Sequence, residues 1–237
     1  MMSLRRREMN LSSIPFLQHY TNIRILTYLS AKPLTYAHSQ LQEFLIKAME
    51  KPFKFVDVTL DPDTANSKLL LSDDRKQVSH EGKRQILPDN PARFDRFPSV
   101  LGKEGFSSGR FYIEVLVSGK TKWMVGVAQE SITRKGRITA CPENGYWTIC
   151  LRNKTKYEAC ESRHVPLFLK QAPQKIGVFV DYEEGLVSFY DVDSMSHIYS
   201  FTGQCFADKL YLIFCPFLND GGRNSAPLII TPVRRTE

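Results

Sequence analysis

The chain has 237 residues, 42% hydrophobic and 24% charged, with a formal net charge of +7. This is an ordinary globular composition, long enough to bury a core in one large domain without covalent staples. The positive charge is thinly spread: residues 1–50 hold six Lys/Arg against three acids, and the remaining +4 is scattered over 187 residues. Nucleic-acid binders concentrate such charge in a stripe, and the only run here is Arg5-Arg6-Arg7, so that class is disfavoured.

Ile14 to Ala31 is mildly apolar, but Gln18, His19, Asn22 and Arg24 interrupt it. Those breaks argue against a bilayer span and against the apolar centre of a signal peptide. Leu34, Ala37, Leu41, Phe44, Leu45 and Ala48 then recur at three- and four-residue steps. The spacing predicts an amphipathic helix that Pro33 starts and Lys51-Pro52 ends. It is either a short helix packed on the body or the tail of a longer coiled coil. Fewer than three heptads are present, so weak or no homo-oligomerisation is expected from it. Residues 1–50 are therefore an N-terminal extension.

From Phe53 the pattern changes to β. Phe53, Phe55, Val56 and Val58 precede Asp61-Pro62, where an N-cap followed by proline predicts a helix of one or two turns. Short apolar runs follow, split by turn formers: 69–71, 77–79, 111–117, 123–128, 146–151, 176–182, 186–190, 210–214 and 228–230. Glu183-Glu184-Gly185 joins two of them as a tight hairpin. Many short strands with no long helices between them and no fixed-period repeat predict an all-β antiparallel sandwich or barrel. Tyr146, Trp147, Trp123 and Phe189 are its expected core aromatics.

Five cysteines (Cys141, Cys150, Cys160, Cys205, Cys215) form no C-x-x-C pair, which suits free thiols in a reducing, cytoplasmic setting. No phosphate-binding loop, H-E-x-x-H or nucleophile elbow is present. Cys160 and His164 lie four residues apart and could share a metal, but no second close ligand pair accompanies them. A structural thiol and a surface imidazole are expected instead, with no metal and no cofactor. Cys150 beside Arg152 has the setting of an activated thiol, set against the plainer reading of a strand cysteine. No constellation for catalysis emerges.

A family resemblance accounts for the strands. Asp57-Val58-Thr59-Leu60-Asp61-Pro62-Asp63-Thr64-Ala65 and Phe94-Asp95-Arg96-Phe97-Pro98-Ser99-Val100-Leu101-Gly102 resemble the opening and close of a PRY element. Gly109-Arg110-Phe111-Tyr112-Ile113-Glu114-Val115, Trp123-Met124-Val125-Gly126-Val127 and Gly145-Tyr146-Trp147-Thr148-Ile149 are similar to successive SPRY motifs. Val180-Asp181-Tyr182-Glu183-Glu184-Gly185 and Pro216-Phe217-Leu218-Asn219-Asp220-Gly221-Gly222 resemble the later ones. The chain is similar to the PRY-SPRY domains of tripartite-motif (TRIM) ubiquitin ligases and butyrophilins over 51–235, with PRY at 51–102 and SPRY at 103–233. One departure is Ile113, where the family usually carries tryptophan.

The resemblance implies a jelly-roll-like sandwich whose loops at one end bind another protein, with no nucleic acid or membrane as partner. Carried over by motif, the lining comprises Met124, Cys150, Arg152, Asn153 and Leu218, with Asn219 and Asp220 at the rim. Cys150 and Arg152 stand where some members carry aromatic anchors, so a smaller or acidic feature held by Arg152 is expected. Residues 1–50 contain no cysteine, so no RING is expected within this chain. The implied role is the substrate-reading part of a TRIM-like ligase in innate immunity. The alternative is a fragment of an active RING ligase whose catalytic part lies outside this chain.

Overall fold

The computed structural model describes residues 54–88 and 90–231; the expected helix over 34–48 lies outside them. In chain order the strands are β1 (Lys54–Phe55), β2 (Leu69–Leu71), β3 (Gln77–His80), β4 (Val100–Phe106), β5 (Arg110–Leu116), β6 (Trp123–Gln129) and β7 (Tyr146–Arg152). They continue as β8 (Lys156–Ala159), β9 (Val165–Leu167), β10 (Lys175–Asp181), β11 (Leu186–Asp191), β12 (Ser196–Phe201), β13 (Leu210–Cys215) and β14 (Leu228–Thr231). One sheet runs β12-β11-β10-β5-β14-β3-β2, with β1 alongside β5, and the other runs β4-β13-β6-β7-β8-β9. Apart from the short parallel β1–β5 pair, the ladders are antiparallel. The all-β sandwich is as expected.

Alternation along the strands builds the core. In β5, Phe111, Ile113 and Val115 are buried while Tyr112, Glu114 and Leu116 are only partly so. The buried set meets Trp123, Val125, Val127, Trp147, Ile149 and Leu151 from the facing sheet, with Phe189, Phe201 and Phe214 filling between. Period-two patterning puts each such set on one face. Ile113 is fully enclosed here, so the smaller side chain keeps the burial a strand core needs. Trp147 is anchored by its Nε1–H, which donates to Gln204 Oε1 at 2.8 Å, and by an edge contact with Phe206. The β10–β11 hairpin closes through Gly185, whose φ of 59° suits glycine.

The helix expected at Asp61-Pro62 is absent; a single turn stands there. The capping chemistry exists, since Asp63 N–H donates to Asp61 Oδ1 and Thr64 N–H to Asp61 O. Tertiary bonds then take over. Thr64 Oγ1 accepts from Leu101 N–H at 2.9 Å, and Asn66 N–H donates to Ser99 O at 3.0 Å. Continuing the helix would forfeit both.

A second buried cluster lies on the outer face of the β6–β7 sheet. Met124, Ala128, Tyr146, Cys150, Cys160, Ile213 and Cys215 are covered there by Phe94 of the segment before β4, with Phe97 and Phe217 packed against them. This cluster carries the candidate site.

Candidate functional site

Antiparallel pairing collects five connections at one end of the sandwich: 117–122, 153–155, 168–174, 216–227 and the chain leaving β3 at His80. They are bonded to one another. Lys154 N–H donates to Thr121 O at 2.9 Å, and Val117 N–H to Gln174 O at 2.8 Å. Asn219 Nδ2 donates to His80 O at 3.2 Å. Asn224, fully buried, is the hub: its Oδ1 accepts from Thr121 and Lys122 N–H, and its Nδ2 donates to Pro216 O and Leu218 O. Lys120 Nζ donates to Asn224 O and Ala226 O, and burial draws this amine down to about 8. Lys122 pairs with Asp220 at 2.7 Å, which holds that carboxyl below its usual range.

The same end holds strained backbone. Six non-glycine residues have positive φ among the described residues, and four of them (Asn153, Lys154, Phe217, Asp220) sit in these loops. Left-handed backbone costs an L-residue about 1–2 kcal/mol, so it persists only where surrounding bonds enforce it. Here Asn224 and the Lys154–Thr121 bond supply that enforcement.

The residues named from sequence divide into two layers. Met124 and Cys150 are only 2% and 1% exposed, so they floor the site from beneath and offer no surface. Arg152 and Asn153 reach solvent at the β7–β8 turn, and Leu218 is 53% exposed, with Asn219 and Asp220 half-buried beside it. Arg152 is not idle: its Nε lies 3.3 Å from Glu158 Oε2, so an acidic partner would compete with an internal carboxylate. Sequence reasoning missed Phe168. It follows edge strand β9, whose register with β8 points the chain back to the loop end, and it is 95% exposed. The run Val165-Pro166-Leu167-Phe168 was the available signal, since a proline marks an edge strand. Asn224 gave none, because one asparagine in a turn-rich stretch reads as a turn former.

Beneath Arg152 the outer face of β7 and β8 carries Cys150, Glu158 and Cys160. Cys150 pairs in register with Glu158, and Cys160 N–H donates to Thr148 O, so Cys150 and Cys160 are diagonal neighbours. The Cys160 S–H bonded to Cys150, with help from the Arg152 guanidinium, holds the Cys150 thiol down to about 7; Cys160, as the donor, is pushed up. His164 Nδ1 lies 3.2 Å from Glu158 Oε2. One ligand atom each from Cys150, Cys160 and His164 fall within 4.8 Å of one another, which makes these three the group able to hold a metal among the described residues.

An antiparallel sandwich that displays mutually bonded loops at one end is the architecture of a recognition domain, where a rigid scaffold presents a binding surface. The SPRY-associated domain model matches residues 58–106 and the SPRY domain model residues 110–228. The chain therefore belongs to the PRY-SPRY family, and is a protein-interaction module of that kind. Human erythroid membrane-associated protein is 49% identical over 176 residues, covering 74% of this chain and 37% of that protein. Human pyrin is 46% identical over 178 residues, covering 75% and 23% respectively. The E3 ubiquitin-protein ligase TRIM21 of Bos taurus is 44% identical over 207 residues, covering 86% and 44%. The chain thus spans less than half the length of each of these relatives. Among solved structures, stonustoxin aligns with TM-score 0.64 at 30% identity, over 74% of this chain and 28% of that one. The TRIM65 PSpry domain also aligns with TM-score 0.64, over 85% of this chain and 98% of that one; at 18% identity it speaks for the fold alone.

Proposed function

We propose that the loop end grips a protein partner, with Phe168 and Leu218 as apolar anchors and Arg152 as a polar contact between them. The observation that carries this is the pairing of two exposed large apolar side chains with loops locked by buried bonds. Aromatic and arginine side chains in a rigid, water-excluding setting dominate interface energies. Phe168 also answers the want of aromatics at positions 150 and 152: the anchor sits two strands away, on the edge. Arg152 takes an acidic feature of the partner only by turning from Glu158, so its contribution is smaller than a free guanidinium would make.

In the same reading the domain is the substrate-selecting part of a larger ligase. Relatives named as E3 ubiquitin-protein ligases, TRIM21 and TRIM69, support it, and the chain covers 44% and 34% of them, so the transfer chemistry lies in the remainder. Five free cysteines support a cytoplasmic setting.

The test is affinity capture from cytosol followed by titration of the captured protein. Phe168→Ala and Arg152→Ala are expected to weaken binding at least about tenfold with unchanged melting, because both side chains are exposed. Lys209→Ala, at the opposite end, should bind normally. Equal losses in all three variants, or none, would remove the loop end from the role.

A further inference from the structure

We propose that Cys150, Cys160 and His164 form a zinc(II) site that ties β7, β8 and the approach to β9 together beneath the loop end. The inference is independent of which partner the loops bind.

The ligand set is the first ground. Two thiolates and an imidazole suit zinc, which prefers sulfur and nitrogen donors in a tetrahedron. A tetrahedron with Zn–S near 2.3 Å and Zn–N near 2.0 Å places its donor atoms about 3.5–3.8 Å apart. The three atoms here already lie within 4.8 Å, so closure takes rotations about side-chain bonds and no movement of the sheet. Water fills the fourth position. His164, whose side chain is 34% exposed, provides the way in, while both sulfurs are buried.

The surroundings are the second ground. Glu158 Oε2 lies 3.2 Å from His164 Nδ1, and with that nitrogen as the donor the carboxylate would fix the tautomer that leaves Nε2 to bind a metal. Charge balances as well. Zinc with two thiolates and a neutral imidazole is uncharged, and Arg152 and Glu158 cancel beside it. Binding forms two Zn–S bonds and one Zn–N bond, and the protons of the two thiols leave to water.

A disulfide between the same two cysteines fits less well. Diagonal neighbours in an antiparallel ladder have Cα atoms about 7–8 Å apart, beyond the roughly 4.4–6.8 Å that an S–S bond tolerates. A metal bridges the longer gap because it inserts an atom between the sulfurs.

The spacing of Cys160 and His164 supplies two ligands, and no second close pair accompanies them in the sequence. The third ligand, Cys150, comes from the neighbouring strand, ten residues before Cys160 in the chain yet its diagonal neighbour across the ladder.

The experiment is titration of the reduced, metal-free full chain with Co²⁺, followed by Zn²⁺ competition. Thiolate-to-cobalt charge transfer in the near ultraviolet and tetrahedral d–d bands in the visible are expected to saturate at one equivalent, and zinc should abolish them. His164→Ala, at a partly exposed position where folding is undisturbed, should raise Kd at least about 100-fold; Glu158→Gln should raise it about 10–100-fold, the usual effect of a supporting partner. Cys160→Ser should remove the charge-transfer band, and Cys205→Ser, an exposed thiol elsewhere, should leave it intact. Absence of the charge-transfer band, a stoichiometry other than one, or an unchanged Kd in His164→Ala would overturn the site.

Discussion

The two faces of the β6–β7 ladder differ in kind. The inner face presents Trp123, Val125, Val127, Trp147, Ile149 and Leu151 to the facing sheet. The outer face presents Met124, Ala128, Tyr146 and Cys150, roofed by Phe94 and flanked by thiols and loop backbone. One side is apolar mass that any sandwich needs. The other mixes smaller, softer and ionisable groups under loops held in costly conformations. A strand thus separates its duties by parity: odd positions along β6 secure the fold, and even ones underlie the loop end.

Breaking the inner face should have the largest effect. Trp147→Ala removes a buried indole and leaves Gln204 without its donor, for an expected loss of about 3–5 kcal/mol. Denaturant unfolding measures it, and a midpoint close to wild type would contradict the placement. Asn224→Ala attacks the other side. It strips bonds from two N–H groups and two carbonyls, at about 1–3 kcal/mol in total stability. Hydrogen exchange should accelerate in 117–122 and 216–224 while the β10–β11 ladder stays protected; uniform acceleration would show that the loop end and the core are one cooperative unit.

Acidification sharpens the contrast further. His80 lies under the loop end, where burial, then Lys68, depresses its pKa below 6.5. Its Nδ1 accepts from Gly82 N–H and Asn219 N–H, which requires the neutral ring. The fold favours that neutral form, so its contribution is complete above pH 6.5 and is lost as the pH falls below it. The loss should be seen as a falling melting temperature that His80→Gln flattens. The smallest effect belongs to Lys154, whose φ of 69° is left-handed. Lys154→Gly should gain under about 1 kcal/mol, relief of strain being partly offset by the freer unfolded chain. A loss would mean that the lysine side chain holds the turn.

Much of the fold was legible because burial on one face writes itself as alternation. Nine runs from Leu69 to Ile230 are strands, and the four core aromatics are buried. The strands that escaped, β4, β8, β9 and β12, lack that contrast. β4 carries Gly102, Lys103, Glu104 and Gly105; β9 contains Pro166; and β12 is at most half-buried along nearly its whole length. The loop end was legible only through family likeness. Its geometry rests on a single asparagine and on a cross-strand diagonal, and neither leaves a local pattern. Likewise Met124 and Cys150 were found as neighbours of the site, while their depth was not, since burial on that face of the sheet depends on the Phe94 segment folding over it.

The Asn224 hub bears on how a partner would dock. Loops that are fastened to each other before the encounter have little freedom left to surrender, so complex formation should incur a small ordering cost and proceed in one kinetic step. It also means that a substitution in one loop tilts its neighbours. If partners dock as proposed, specificity at this end is a property of the ring of loops as a set, with Phe168 and Leu218 projecting from it.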